Sequence, residues 1–186
     1  MEEIIGNIYI NGLGNKFTVV DKAGRAKHDE QLYLIRFESG YETIAPKSFI
    51  TGKYKPKDLL SPSVHGVGIL GYLPMTENER LFQTWRAMIA RCYNPKNPSY
   101  KTYGAKGITV CERWKRWDYF YEDVIKLPGY KEDLEGLDLD KDIKGGKEYN
   151  SENCQWISHG ANVSESAYRM WRMRKCNDQS KDVANE

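Results

Sequence analysis

The sequence predicts an α+β fold, with a small N-terminal β-barrel-like module followed by an α-rich region that ends in two strands and a helix. Three observations lead there. Residues 1–52 are short β-rich runs broken by turn residues, which is the pattern of a small barrel or curled sheet. Apolar residues then recur at helical spacing in 76–93 and again in 117–126. Finally, "LDLDKDIKGGKEYNSENCQWISHGANVSE" at 137–165 reads as strand, glycine-rich turn, short strand and helix. The expected division is 1–72 for the β module and its connector, 73–176 for the second domain, and 177–186 for a polar, disordered tail.

In the first module, "IIGNIYI" and "KFTVV" flank the turn "NGLGN", and "QLYLIRF" is followed by "ESGY", where Gly40 suits a positive φ. Pro46 in "YETIAPKSFITG" suits an edge strand. The stretch 53–75 holds three prolines and three glycines and reads as a connector, packed through Val64, Val67, Ile69 and Leu70, with a partial strand at "GVGIL". "TENE" at 76–79 predicts a capping box in which Thr76 caps and Glu79 reaches back. Leu81, Trp85, Met88, Ile89 and Cys92 make one face of that helix; Arg80, Arg86 and Arg91 occupy the other, and "NPKNP" stops it. A short strand follows at 108–111. The next helix turns Trp117, Phe120, Val124 and Leu127 inward. Ser158 is a good N-cap for the final helix, expected to run to about Arg174.

Composition narrows the function classes. At 40% apolar residues and no long apolar run, the chain has no transmembrane segment, and "MEEIIGN" has no secretory pattern, so cytoplasmic residence (the host's, if a phage encodes it) is the default. A net charge of +2 does not announce a nucleic-acid binder, but its distribution is uneven. Residues 80–116 carry Arg80, Arg86, Arg91, Lys96, Lys101, Lys106, Arg113, Lys115 and Arg116 against Glu112 alone, whereas 132–142 is acidic. A basic surface beside an acidic pocket suits an enzyme that grips phosphates and holds a metal; two oppositely charged solvated faces are the plainer account. Cys92, Cys111, Cys154 and Cys176 form no CxxC pair and read as reduced, buried small residues, with a zinc site the less favoured alternative.

Five pieces occur in order: W-x2-M-x3-C at 85–92, "GITVCERW" at 107–114, "LDKDI" at 139–143, "YNSENCQW" at 149–156, and Asn162. Together they resemble phage-type HNH endonucleases of the homing class, over about half the chain, and residues 1–52 resemble the accessory module some of these proteins carry. The resemblance implies a ββα-metal fold and a DNA endonuclease that nicks as a monomer. It implies one magnesium or manganese ion held by Asp140 and Asn162, a type of site built from hard oxygen donors. Asn153 matches the asparagine that braces the loop, with Cys154 and Trp156 packed behind the site. Each residue also has an ordinary account: a charged strand end, a turn asparagine, a surface amide.

One position departs. The family often has a general-base histidine where this chain has Lys141, and a lysine with the ordinary pKa of about 10.4 stays protonated near neutrality and is a poor base. Lys141 then contacts phosphate instead, or His159, three residues before Asn162, serves as base. For DNA contact, "CERWKRWDYFYED" offers Arg113, Lys115 and Arg116 to phosphates and Trp114 and Trp117 to bases, with Lys106 and Arg172 in support. The alternative function, which Lys141 favours, is a catalytically degenerate scaffold that binds DNA or inhibits a host defence protein.

Overall fold

The computed structural model describes residues 3–141 and 146–164. Four strands, β1 (Ile8–Ile10), β2 (Lys16–Arg25), β3 (Gln31–Phe37) and β4 (Glu42–Pro46), form an antiparallel meander in the order β1-β2-β3-β4. Alternation puts Phe17 and Val19 of β2, Tyr33, Ile35 and Phe37 of β3, and Ala45 of β4 on one buried face. Ile4 and Ile50, the latter from the short helix α1 (Lys47–Thr51), close that core. The expected barrel-like closure is not formed. Among the described residues β1 and β4 are the two edges; β1 has only three residues to offer β4, and Ile50 already covers the apolar face. Pro46 ends an edge strand, where its missing donor costs no ladder bond. Gly40 turns at φ +87, and its N–H reaches the Phe37 carbonyl at 3.0 Å.

The connector is anchored at both ends. Asn11, buried in the β1–β2 turn, accepts from the Leu13 and Asn15 amides and donates to the Pro56 carbonyl at 3.1 Å, while Ser39 donates to Asp58. Further on, the expected strand at "GVGIL" is reduced to two isolated bridges, Gly68 with Val64 antiparallel and Ile69 with Arg116 parallel. Val64, Val67 and Leu70 pack on the second core.

That core is built around α2 (Glu79–Tyr93) and α3 (Trp117–Val124). The α2 cap is Asn78 rather than Thr76: its side chain accepts from the Leu81 amide at 3.0 Å, satisfying one of the helix's first donors two residues later than the capping box would. Leu81, Trp85, Met88, Ile89 and Cys92 are all buried, as are Trp117, Phe120, Val124 and Leu127. Three of the buried indoles are satisfied: Trp85 donates to the Trp114 carbonyl at 2.8 Å, Trp114 to Asp123 at 3.0 Å and Trp156 to the Val124 carbonyl at 3.0 Å, whereas the Trp117 N–H is buried with no hydrogen-bond partner. Trp114 and Trp117 are both fully buried, so neither is available to stack on a base.

Strands β6 (Leu137–Asp140) and β8 (Gln155–Ser158) pair antiparallel, and helical residues 159–164 follow. Ser158 accepts from the Ala161 amide at 3.3 Å as the cap. Between them, what reads in sequence as one hairpin loop contains β7 (Glu148–Tyr149), which pairs parallel with β5 (Thr109–Val110). The continuation of the last helix to Arg174, together with Arg172, Cys176 and the tail at 177–186, lies outside the described residues. Among the described residues no helix is long and apolar enough to cross a membrane.

Candidate functional site: an acidic strand facing a cationic helix

Strand alternation places Asp138 and Asp140 on one face of β6, because side chains two apart point the same way. The start of the last helix lies against that face. His159 Nδ1 lies 2.8 Å from an Asp138 carboxylate oxygen, and Asn162 donates Nδ2–H to the same oxygen at 3.0 Å. Burial works to raise the Asp138 carboxyl; the hydrogen bonds from Asn162 and His159, with the charge of Arg80 nearby, outweigh it and hold the group below the ordinary carboxylate value. Asp140 is buried at 7% exposure, deeper in the same strand.

A cleft of about 540 Å³ opens over this face. Strand β6 and Asn162 form one wall, and the polar side of α2 forms the other, with Arg80, Thr84 and Arg91 directed toward it. Arg80 donates to the Leu137 carbonyl at 3.4 Å, which ties the start of α2 to the start of β6. Tyr103 and Tyr149 line the inner end. Their rings carry the Arg91 guanidinium at 5.1 and 5.0 Å and the Lys141 ammonium at 5.8 and 6.0 Å, cation–π contacts that seat two positive charges side by side. Lys141 is 6% exposed, with its charge facing aromatic surface rather than bulk water.

Asn153 sits behind the cleft. Its side chain donates to the Glu148 carbonyl at 3.3 Å and packs so closely on Gly146 that a Cβ there would strike the amide. Asn150 does as much for this loop: its side-chain oxygen accepts from the Glu152 and Asn153 amides and its nitrogen donates to Glu148. The bracing role expected of Asn153 is therefore shared between two asparagines. Cys154 and Trp156 are buried next to them.

The structure separates the remaining sequence-derived candidates from the cleft. Arg113 pairs with Asp123 at 2.7 Å and Glu122 at 2.8 Å, Arg116 pairs with Asp118 at 2.7 Å, and Lys115 pairs with Glu112. Lys106 is exposed at the end of the 3₁₀ turn Gly104–Lys106. None of these four lines the cleft; His159 does not line it either, but it is joined to the lining residue Asp138 at 2.8 Å. Conversely, sequence reasoning gave no site role to Asp138, Thr84, Arg91, Tyr103 or Tyr149, although Arg91 was expected on the polar face of α2 and Asp138 lies in the acidic run. Asp138 was available from strand periodicity, as the residue two before Asp140; the two tyrosines come from segments whose convergence no local pattern reveals.

The metal expected from the resemblance can be tested against these donors. Asp140, an ionised Asp138 and the Asn162 carbonyl oxygen are hard oxygen donors of the kind magnesium and manganese take, so the donor chemistry fits. Asn162 turns its amide nitrogen to Asp138, which leaves its oxygen as the ligating atom. Among the described residues no three His, Cys, Asp or Glu side chains converge as a metal-holding group. Cys92 and Cys154 are pushed up by burial, to about 11 and about 12, and behave as core thiols rather than thiolate ligands. Comparisons with protein-family models, with curated proteins and with solved structures found no match.

Proposed function

We propose that the chain is a DNA endonuclease that hydrolyses one phosphodiester bond in the cleft between β6 and α2. The observation that carries this reading is Asp138 bonded to both His159 and Asn162. With Nδ1–H given to a carboxylate, the neutral imidazole presents Nε2 as a proton acceptor, the tautomer a general base needs. The same carboxylate orients Asn162, which lines the same cleft as Asp140. In the reaction, a water oxygen attacks phosphorus, its proton passes to His159 Nε2, and the bond to the leaving sugar oxygen breaks. Asp140 and Asn162 would hold a magnesium or manganese ion, which supplies charge stabilisation at the phosphate and leaving oxygen. Lys141 and Arg91 add fixed positive charge at the inner end, where a developing phosphorane is most negative.

Plasmid nicking in magnesium or manganese tests this. Wild type is expected to convert supercoiled plasmid to open circles, and Asp140→Ala to abolish the conversion. Equal nicking by both proteins would overturn the assignment. A second reading, DNA binding or inhibition of a host defence protein without cleavage, draws support from Lys141, which stands at the family's base position and packs on two tyrosines. Tight binding by a wild type that cuts no DNA would select it.

A further inference from the structure

We infer that the cleft-facing stripe of α2, Arg80–Thr84–Arg91, is the phosphate track for the DNA backbone, in place of the cationic turn at 113–116. The inference rests on reading the cleft as a phosphodiester site. At 100° per residue, positions 80, 84, 87 and 91 fall within about 60° of one another on the helix surface, and the stripe is about 16 Å long. All four positions line the cleft, opposite Asp138 and Asp140. At its centre is Ala87, small enough to let a sugar–phosphate backbone approach the helix.

Charge separates this stripe from its rival. Each cation of the 113–116 turn is already matched to a carboxylate: Arg113 to Asp123 and Glu122, Lys115 to Glu112, Arg116 to Asp118. A phosphate arriving there would have to displace an ion pair. Among the described residues, by contrast, no carboxylate is in ion-pair contact with Arg80 or Arg91. Arg91 is also held ready. Its guanidinium lies over the Tyr103 and Tyr149 rings, and its Nε–H is buried with no hydrogen-bond partner. A buried donor left unmet is unfavourable, and a phosphate oxygen in the cleft would meet it. Two arginines whose positions lie about 16 Å apart along the helix axis match a polymer that repeats its charge, rather than a single free phosphate.

Anisotropy titrations of a fluorescein-labelled DNA duplex, in EDTA and from about 50 to 300 mM salt (~14 to 6 Å Debye length), test the track without any cutting. Each phosphate contact contributes about 0.9 to the slope of log K against log salt, so Arg80→Gln with Arg91→Gln should flatten the slope by about 1.8 and weaken binding about 60-fold at 0.1 M salt. Arg91→Lys keeps the charge and should restore its share. Arg113→Gln with Arg116→Gln should leave the slope as in wild type. If Arg91→Gln disturbs folding, the exposed Arg80→Gln alone should still flatten the slope by about 0.9. A wild-type slope in the Arg80 and Arg91 variants, slope loss on changing Arg113 and Arg116 instead, or competition by polyglutamate as strong as by DNA of equal charge would each overturn the track. Were wild type to nick plasmid while the track variants bound normally, the track alone would fail. If the track variants lost binding but wild type never nicked, the nuclease reading alone would fail; absence of DNA binding by wild type would end both.

Discussion

Replacing Asp138 by asparagine keeps the side-chain shape and removes its charge. Two hydrogen bonds to one carboxylate oxygen, at 2.8 Å from His159 and 3.0 Å from Asn162, are weakened together. Bonds to a charged acceptor contribute about 1.5–3 kcal/mol each when shielded. Here the Asp138 side chain is 33% exposed and that of His159 is 71% exposed, so solvent screens most of this. A loss of about 1 kcal/mol in folding stability is expected for the pair, readable in urea melts. Its pH dependence has a definite sign. Because the Asp138 carboxyl lies below its ordinary value in the folded protein, the stability it contributes is present above the unfolded value of about 3.9 and is lost as pH falls through the folded value. Wild type and Asp138→Asn should therefore differ at neutral pH and converge in acid. Activity should respond far more: with His159 no longer held in the tautomer that frees Nε2, nicking should fall about 10²–10⁴-fold. Nicking at the wild-type rate, or a stability loss above about 3 kcal/mol, would refute the reasoning, the first by removing Asp138 from the chemistry and the second by making it a structural post.

Two substitutions separate the candidate bases: His159→Ala should lower nicking about 10²–10⁴-fold, whereas Lys141→His should add nothing, because position 141 faces Tyr103 and Tyr149 instead of the Asp138 side of the cleft. Gly129 has φ +78, and a Cβ there would run into the Trp156 carbonyl on β8, the strand that leads into His159. Gly129→Ala should cost about 3 kcal/mol, left-handed strain plus the displacement of β8, as measured by denaturant unfolding; a change below about 1 kcal/mol, no more than left-handed strain alone, would show that the strand moves freely. Cys92 and Cys154 should resist a thiol reagent at pH 8 until the protein unfolds, as followed by mass mapping, since burial raises both thiols to about 11 and about 12.

The local patterns held wherever one face of an element decides its fate. Leu81, Trp85, Met88 and Ile89 are buried because a 3.6-residue period gives a helix one apolar side, and the same reasoning correctly turned Trp117, Phe120 and Val124 inward. It was less secure at ends and closures. Thr76 and Asn78 are both competent caps, and which one is used depends on where the buried face of α2 must begin, a matter of packing. A meander of short strands also reads the same whether it closes or not; α1, laying Ile50 on the apolar face, is what leaves this one open.

Local periodicity placed the candidates within their own elements: the aspartates two apart on β6, His159 and Asn162 at the start of one helix, and Arg80 and Arg91 along one side of α2. Partnership was decided only in the tertiary structure. Asn162 reaches Asp138 instead of Asp140, Arg113 and Arg116 find carboxylates on α3, and among the described residues Arg91 finds two tyrosine rings and no ion-pair partner. An ion pair forms only when its charged atoms come within about 4 Å, so which cation is paired and which still faces a cleft depends on distances between segments far apart in the chain, and periodicity along one segment carries no information about those distances.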